Sequence, residues 1–243
     1  MGRHGTIAGR KAAQDSKRAA TFTKYAKLIT VAAKDGGDPD YNPGLRTAIE
    51  KAKGIGMPND NIKRAIMKGT GELGGESYEE MTFEGYGAGG VAVIVECLSD
   101  NRNRAVAAVQ HDFDKYGGNF GKPGCVSFMF ERKGVFTIEK DDELTEDDLM
   151  MAVLDAGAED VKEYDDSFEV LCAPEAFNDV SDALKAAGIE FVDANIDQVP
   201  NVTATPTDEA AIKNLKKMVA AMEDNDDVQN VYTNCTIDLY DED

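Results

Sequence analysis

The sequence has no tryptophan, and only two histidines and four cysteines in 243 residues. Scarce histidine leaves little for proton transfer near neutral pH. His4 stands close to the start of the chain, and His111 lies beside Asp112 in a helical stretch, a setting typical of a surface or core side chain and not of a general base. Cys97, Cys125, Cys172 and Cys235 are scattered with no CxxC pair. That spacing offers neither a zinc ribbon nor a disulfide framework, and buried reduced thiols in a cytoplasmic setting are expected. No apolar run reaches the roughly eighteen residues a membrane helix needs. The basic, Ala-rich N-terminal stretch has no apolar segment of the kind a secretory signal carries. Positive charge is in deficit as well, with 26 Lys and Arg against 46 Asp and Glu, a formal net charge of −20. Taken alone, that figure argues against nucleic acid as a partner.

The charge is not spread evenly. Residues 1–70 hold 14 basic and 6 acidic residues, which makes +8, and residues 71–243 hold 12 basic and 40 acidic residues, which makes −28. The chain is therefore two electrostatic objects joined together. Its hydrophobic fraction of 42% suffices for packed cores, so the acidic part is not a disordered tail.

From Arg10 to about Lys34, Phe22, Ala26, Ile29 and Ala33 recur with helical spacing. Arg10, Gln14, Lys17, Thr21 and Lys24 take the opposite face. Asp35-Gly36-Gly37-Asp38-Pro39 ends this helix. A second helix follows Pro43, with Leu45, Ala48, Ile49, Ala52 and Ile55 inward. A third follows Pro58, with Ile62, Ala65 and Ile66 inward and Lys63, Arg64 and Lys68 outward. A Gly-rich hinge is expected at 69–75. Beyond it the period changes. Strands are expected at 81–86 and 91–98, a helix at 102–116 and a further strand at 125–131. The order strand 134–139, helix 145–156, strand 160–164, strand 167–172, helix 174–187, strand 189–198 is that of a ferredoxin-like split βαβ. A helix at 207–223 and a strand at 228–237 remain. The reading is an α+β protein of three domains: a basic three-helix domain at 1–75, a discontinuous α/β domain of 80–132 plus 205–243, and an inserted ferredoxin-like domain at 133–204.

Gly85-Tyr86-Gly87-Ala88-Gly89-Gly90 spells GxGxxG, but the residues after it, Val91-Ala92-Val93-Ile94-Val95, read as a strand. A dinucleotide fingerprint needs a helix there to receive the pyrophosphate. With no Walker A sequence either, no nucleotide cofactor is expected. The acidic runs Asp141-Asp142-Glu143, Glu146-Asp147-Asp148, Asp165-Asp166 and Asp226-Asp227 lack the ladder of a calcium loop, and no metal or catalytic residue is assigned.

What remains is a basic surface whose Lys and Arg have few acidic neighbours. Such self-repulsion favours an anionic partner, and a phosphate backbone supplies one. Two further arginines, Arg102 and Arg104, open the helix after Asp100-Asn101. There they pair with nearby carboxylates while Ser99 or Asp100 caps the helix, or they receive a phosphate at the helix start. The candidate nucleic-acid-binding residues are thus Arg10, Lys11, Gln14, Lys17, Arg18, Lys24, Lys63, Arg64, Lys68, Arg102 and Arg104.

Several strings resemble one family. They are Arg10-Lys11-Ala12-Ala13-Gln14-Asp15, Met57-Pro58, Asp60-Asn61-Ile62, Arg64-Ala65-Ile66, Lys68-Gly69-Thr70-Gly71-Glu72, Glu84-Gly85-Tyr86-Gly87, Asp100-Asn101-Arg102-Asn103-Arg104 and Gly117-Gly118-Asn119. Together they are similar to the YebC family across nearly the whole chain. The resemblance implies an N-terminal helical domain and two α/β domains, one of them discontinuous. It also implies a probable transcriptional regulator that binds DNA, although relatives include a mitochondrial translational activator. After His4 the sequence departs from the family's usual Trp-containing stretch, with Gly5-Thr6-Ile7 in its place. The expected protein is a non-enzymatic nucleic-acid-binding regulator without cofactor or membrane partner. Ribosomal or transfer RNA on the ribosome is the alternative target, and a protein–protein adaptor working through its acidic domains the alternative class.

Overall fold

The structure, a computed structural model, describes residues 18–74, 77–140 and 144–240. Three helices come first: α1 (Arg18–Ala32), α2 (Pro43–Gly54) and α3 (Asn59–Gly69). Their apolar stripes meet in one core, where Ile29, Ala33, Leu45 and Ala52 are fully buried beside Ile49, Ile62 and Ala65. Each large side chain so buried contributes about 1.5–3 kcal/mol. Asn42 joins the first two helices. Its side-chain oxygen accepts from the Leu45 N–H at 3.0 Å and caps α2. Its amide nitrogen donates to the Ala32 and Gly36 carbonyls at 2.7 and 2.9 Å, closing the end of α1.

The expected hinge is corrected at its first residue. Gly69 is the last residue of α3, where a Cβ would lie 2.3 Å from the Thr30 carbonyl oxygen and 2.6 Å from the Ala33 Cβ. It is a glycine because α1 passes too close for any side chain.

The chain continues through β1 (Glu79–Tyr86), β2 (Ala92–Ser99), α4 (Arg102–Lys115), β3 (Asn119–Phe120) and β4 (Phe130–Glu139). It then forms α5 (Glu146–Val153), β5 (Ala158–Glu163), β6 (Ser167–Cys172), α6 (Phe177–Ala186) and β7 (Asp193–Pro200). It ends with α7 (Glu209–Asp224) and β8 (Val228–Thr233). Two four-stranded sheets result, ordered β3-β1-β2-β8 and β5-β6-β4-β7. In the second sheet every neighbouring pair is antiparallel. Its order is that of the split βαβ expected from the sequence. Helices α5 and α6 cover one of its faces, around Phe136, Phe168, Leu149, Val180 and Leu184.

The glycine string joins β1 to β2 as a tight loop, with Gly89 and Gly90 at φ 76° and 74°. The chain therefore turns from strand to strand there, as the β-branched run after it implies.

One strand boundary is corrected. Residues 125–131 and 134–139 were expected as two strands, whereas Phe130–Glu139 is a single one preceded by a 3-10 turn at Ser127–Met129. Gly134 does not interrupt it. A Cβ there would meet the Cys172 Sγ at 2.5 Å and the Phe177 ring at 2.8 Å, so close packing selects the glycine. Residues 124–126 stay out of the ladder because the Glu84 carboxylate accepts the Gly124 and Val126 N–H groups at 2.7 and 2.9 Å.

The described chain forms two compact units, one of residues 127–205 and 232–240, the other of 18–126 and 206–231. The three helices and the body of the first sheet lie in the latter. All four cysteines are free thiols, and three of them are buried. Burial, reinforced by Asp227, pushes the Cys97 thiol up to about 12. Among the described residues no helix is long and apolar enough to cross a membrane, and no group of His, Cys, Asp or Glu is placed to hold a metal ion.

Candidate nucleic-acid interface

The basic residues of the helical region divide by what their side chains touch. On α3, Ile62 and Ala65 face the core, which turns Lys63 and Arg64 to solvent. Neither has a hydrogen-bond or ion-pair partner among the described residues. Lys68, one turn beyond Arg64, is half-buried on the same side of the helix. Asn61, Arg64 and Lys68 recur at i, i+3 and i+7 and form one polar row. That row borders a cavity of about 410 Å³ between α1 and α3, whose walls include Phe22, Ala26, Met57, Ala65 and Tyr78.

The lysines of α1 are placed differently. Lys24, expected on an open face, donates to the Glu223 carbonyl at the end of α7 at 2.7 Å. Lys27 is 8% exposed, and its ammonium donates to the Asp227 carboxylate at 2.7 Å, the Asp226 carbonyl at 2.8 Å and the Leu98 carbonyl at 3.2 Å. Helix α1 therefore has two buried faces. One meets α2 and α3, and the other meets the end of β2 and the turn between α7 and β8. Lys34 donates to the Tyr78 carbonyl at 3.2 Å.

Arg102 and Arg104 are in contact with carboxylates. Arg102 pairs with Glu79 at 2.7 Å, with both side chains more than half exposed. Arg104 pairs with Asp227 and Asp100, each at 2.8 Å, and donates to the Ser99 hydroxyl at 3.1 Å. The cap of α4 is corrected to Asn101, whose side chain accepts from the Arg104 N–H at 3.1 Å, while the Ser99 hydroxyl holds the Asn101 N–H.

Asp227 thus joins two cations. Burial alone would raise its carboxyl, but the hydrogen bonds from Arg104 and Lys27 outweigh burial and hold it down at about 2. Donating to Asp227, then to Asp100, pushes the Arg104 guanidinium up.

Of the other residues singled out in the sequence, Arg10, Lys11, Gln14 and Lys17 lie outside the described residues, and Arg18 is placed as the first residue of α1. Within the described chain, Lys63, Arg64 and Lys68 come together on α3. Lys24 lies against α7, and Arg102 and Arg104 lie at the start of α4. The sequence reading missed Lys27 and Asp227, which are 200 positions apart. One signal was available, since small hydroxyl residues, Thr23 and Thr30, flank Lys27 along one helical face. It also missed Phe22 and Asn61 as lining of the α1–α3 cavity, having placed Phe22 wholly in the core.

Residues 3–72 match the family described as TACO1/YebC protein N-terminal domain, and residues 78–235 match the TACO1/YebC second and third domain. A probable transcriptional regulatory protein of Clostridioides difficile is 51% identical over 239 residues, covering 98% of this chain and 100% of its own. Another of that name, from Desulfotalea psychrophila, is 53% identical over 234 residues, covering 96% and 93%. A solved structure, that of a conserved hypothetical protein from Aquifex aeolicus, is similar with a TM-score of 0.83 at 42% identity, covering 93% of each chain.

Proposed function

Since the chain belongs to the TACO1/YebC family, we propose that it is a nucleic-acid-binding regulator of gene expression, working in the cytoplasm and without catalysis of its own. The regulatory names of its bacterial relatives favour transcription and DNA. The observation that carries the reading is the pair Lys63 and Arg64, exposed on α3 with no partner among the described residues. Unpaired like charge repels itself, and phosphates relieve that repulsion while releasing their own counterions. Arg10, Lys11, Gln14, Lys17, Arg18 and Lys68 extend this surface in our reading. Lys24, Arg102 and Arg104 are assigned to holding the fold, because carbonyls and carboxylates already occupy them. The −28 carried by residues 71–243 would then orient the protein, since like charge keeps that part away from a polyanion. Binding of this kind is led by backbone and shape.

The test is the affinity of the full-length protein for duplex DNA and for structured RNA across a salt series. A steep fall of log K with log salt is expected. Changing Lys63 and Arg64 together to Glu should weaken binding to every sequence, and neutralising either alone should lower the salt slope by about 1. A flat salt response would overturn the reading. Tighter binding to ribosomal or transfer RNA than to DNA would move the protein from transcription to translation.

A further inference from the structure

We infer that the cavity between α1 and α3 is a receptacle for one unpaired base of a nucleic-acid strand. This deepens the reading above and rests on it. The cavity measures about 410 Å³, within the range of about 300–1,000 Å³ typical of small-ligand sites. Its floor is apolar apart from Thr30 and Lys27, the latter with its ammonium turned to Leu98, Asp226 and Asp227. Met57 and Ala65 are 5% and 3% exposed there. The one floor hydroxyl, that of Thr30, is already engaged with the carbonyls of Ala26 and Ala65 at 2.8 and 3.1 Å. Phe22 and Tyr78, both half-buried, put aromatic surface on the walls.

At the mouth stand Asn61, Arg64 and Lys68. The Asn61 carboxamide has no hydrogen-bond partner among the described residues, so it retains donors and an acceptor for a base edge. Arg64 is exposed and without a partner there, which suits the phosphate on which the base hangs. An apolar slot with π surface, one amide and cations at its lip matches a nucleotide in each of its parts.

The surroundings give the entry a direction. A second cavity shares Thr23, Lys27 and Tyr78 with this one, but its lining sets Asp100, Asp224, Asp226 and Asp227 against Lys27 and Arg104, an excess of negative charge. A phosphate chain is repelled from that side and attracted to the Arg64 side. Only a base outside a duplex stack reaches such a slot, so the protein prefers unpaired strands.

The experiment uses the full-length protein and a short oligonucleotide carrying 2-aminopurine, single-stranded or annealed to its complement, as DNA and as RNA. The single strand is expected to bind more tightly than the duplex, with a change in 2-aminopurine fluorescence. Phe22→Leu keeps the apolar packing but removes the ring, and should weaken single-strand binding about tenfold or more while sparing duplex binding. Asn61→Ala, at a half-exposed position, should do the same to a smaller degree with the fold intact. Equal binding of both forms, or single-strand binding unmoved by both variants, overturns the receptacle and leaves the phosphate-binding reading standing. Absence of salt-sensitive binding to any of these oligonucleotides overturns both.

Discussion

Helices α1 and α3 lie side by side, both carry lysine or arginine on their polar sides, and they use that charge in opposite ways. On α3, Lys63 and Arg64 stand in water and leave the surface positive. On α1, Lys24 and Lys27 reach carbonyls and a carboxylate at the end of α7 and in the turn after it. The difference is one of neighbours and not of residue type. A helix with a single apolar stripe has one face to bury, whereas α1 is pressed between its two sister helices and the first sheet. A lysine count for the helical region therefore overstates its binding surface, and Lys63 and Arg64 on α3 are where positive charge is left over.

The largest test of this contrast lies at Asp227. Asp227→Ala leaves the Lys27 ammonium buried opposite a missing partner, and about 3–5 kcal/mol of stability should be lost in urea titrations. Lys27→Met should cost clearly less, because Asp227 keeps Arg104. Equal losses for the two would mean that Arg104 contributes nothing. A second effect is pH-dependent. The Asp227 carboxyl sits at about 2 in the folded chain, against about 3.9 when unfolded. Its stabilisation is complete above the unfolded value and disappears as pH falls through the folded one, a difference of about 2 kcal/mol between roughly pH 4 and 2. Asp227→Asn should flatten that part of the stability curve, and an unchanged acid limb would show that other carboxylates govern it. The smallest effect belongs to α3. Lys63→Met and Arg64→Met should each change stability by no more than about 0.5 kcal/mol. A larger loss would place these cations among the structural ones and erase the contrast.

What the sequence disclosed follows the same division. The stripes of α1, α2 and α3, the β-α-β-β-α-β run and the strand after the glycine string were legible because each depends on local period and turn chemistry. Pro43 and Pro58 marked helix starts in the same way. That 125–131 and 134–139 share one strand was not legible, because nothing local shows Gly134 packed against Cys172 and Phe177 inside it. The Lys27–Asp227 pair was invisible because nothing local distinguishes a solvated lysine from one whose acceptors arrive with the last elements of the chain. Asp226-Asp227 read as a solvated acidic run, yet its second carboxylate is 4% exposed. For the site, the sequence supplied the sign and the helix, and the structure sorted which cations remain open.

Lys27 carries a chemical consequence of its own. An ammonium has three hydrogens, and here three acceptors surround it: Leu98, Asp226 and Asp227. Acylation needs the free amine with its lone pair exposed, so this nitrogen is closed to an amine-reactive ester while the first sheet stays seated on α1. Its labelling, followed by mass spectrometry against that of Lys63, would clock how often the contact opens. The protein thus carries, among its lysines, a built-in reporter of its own breathing.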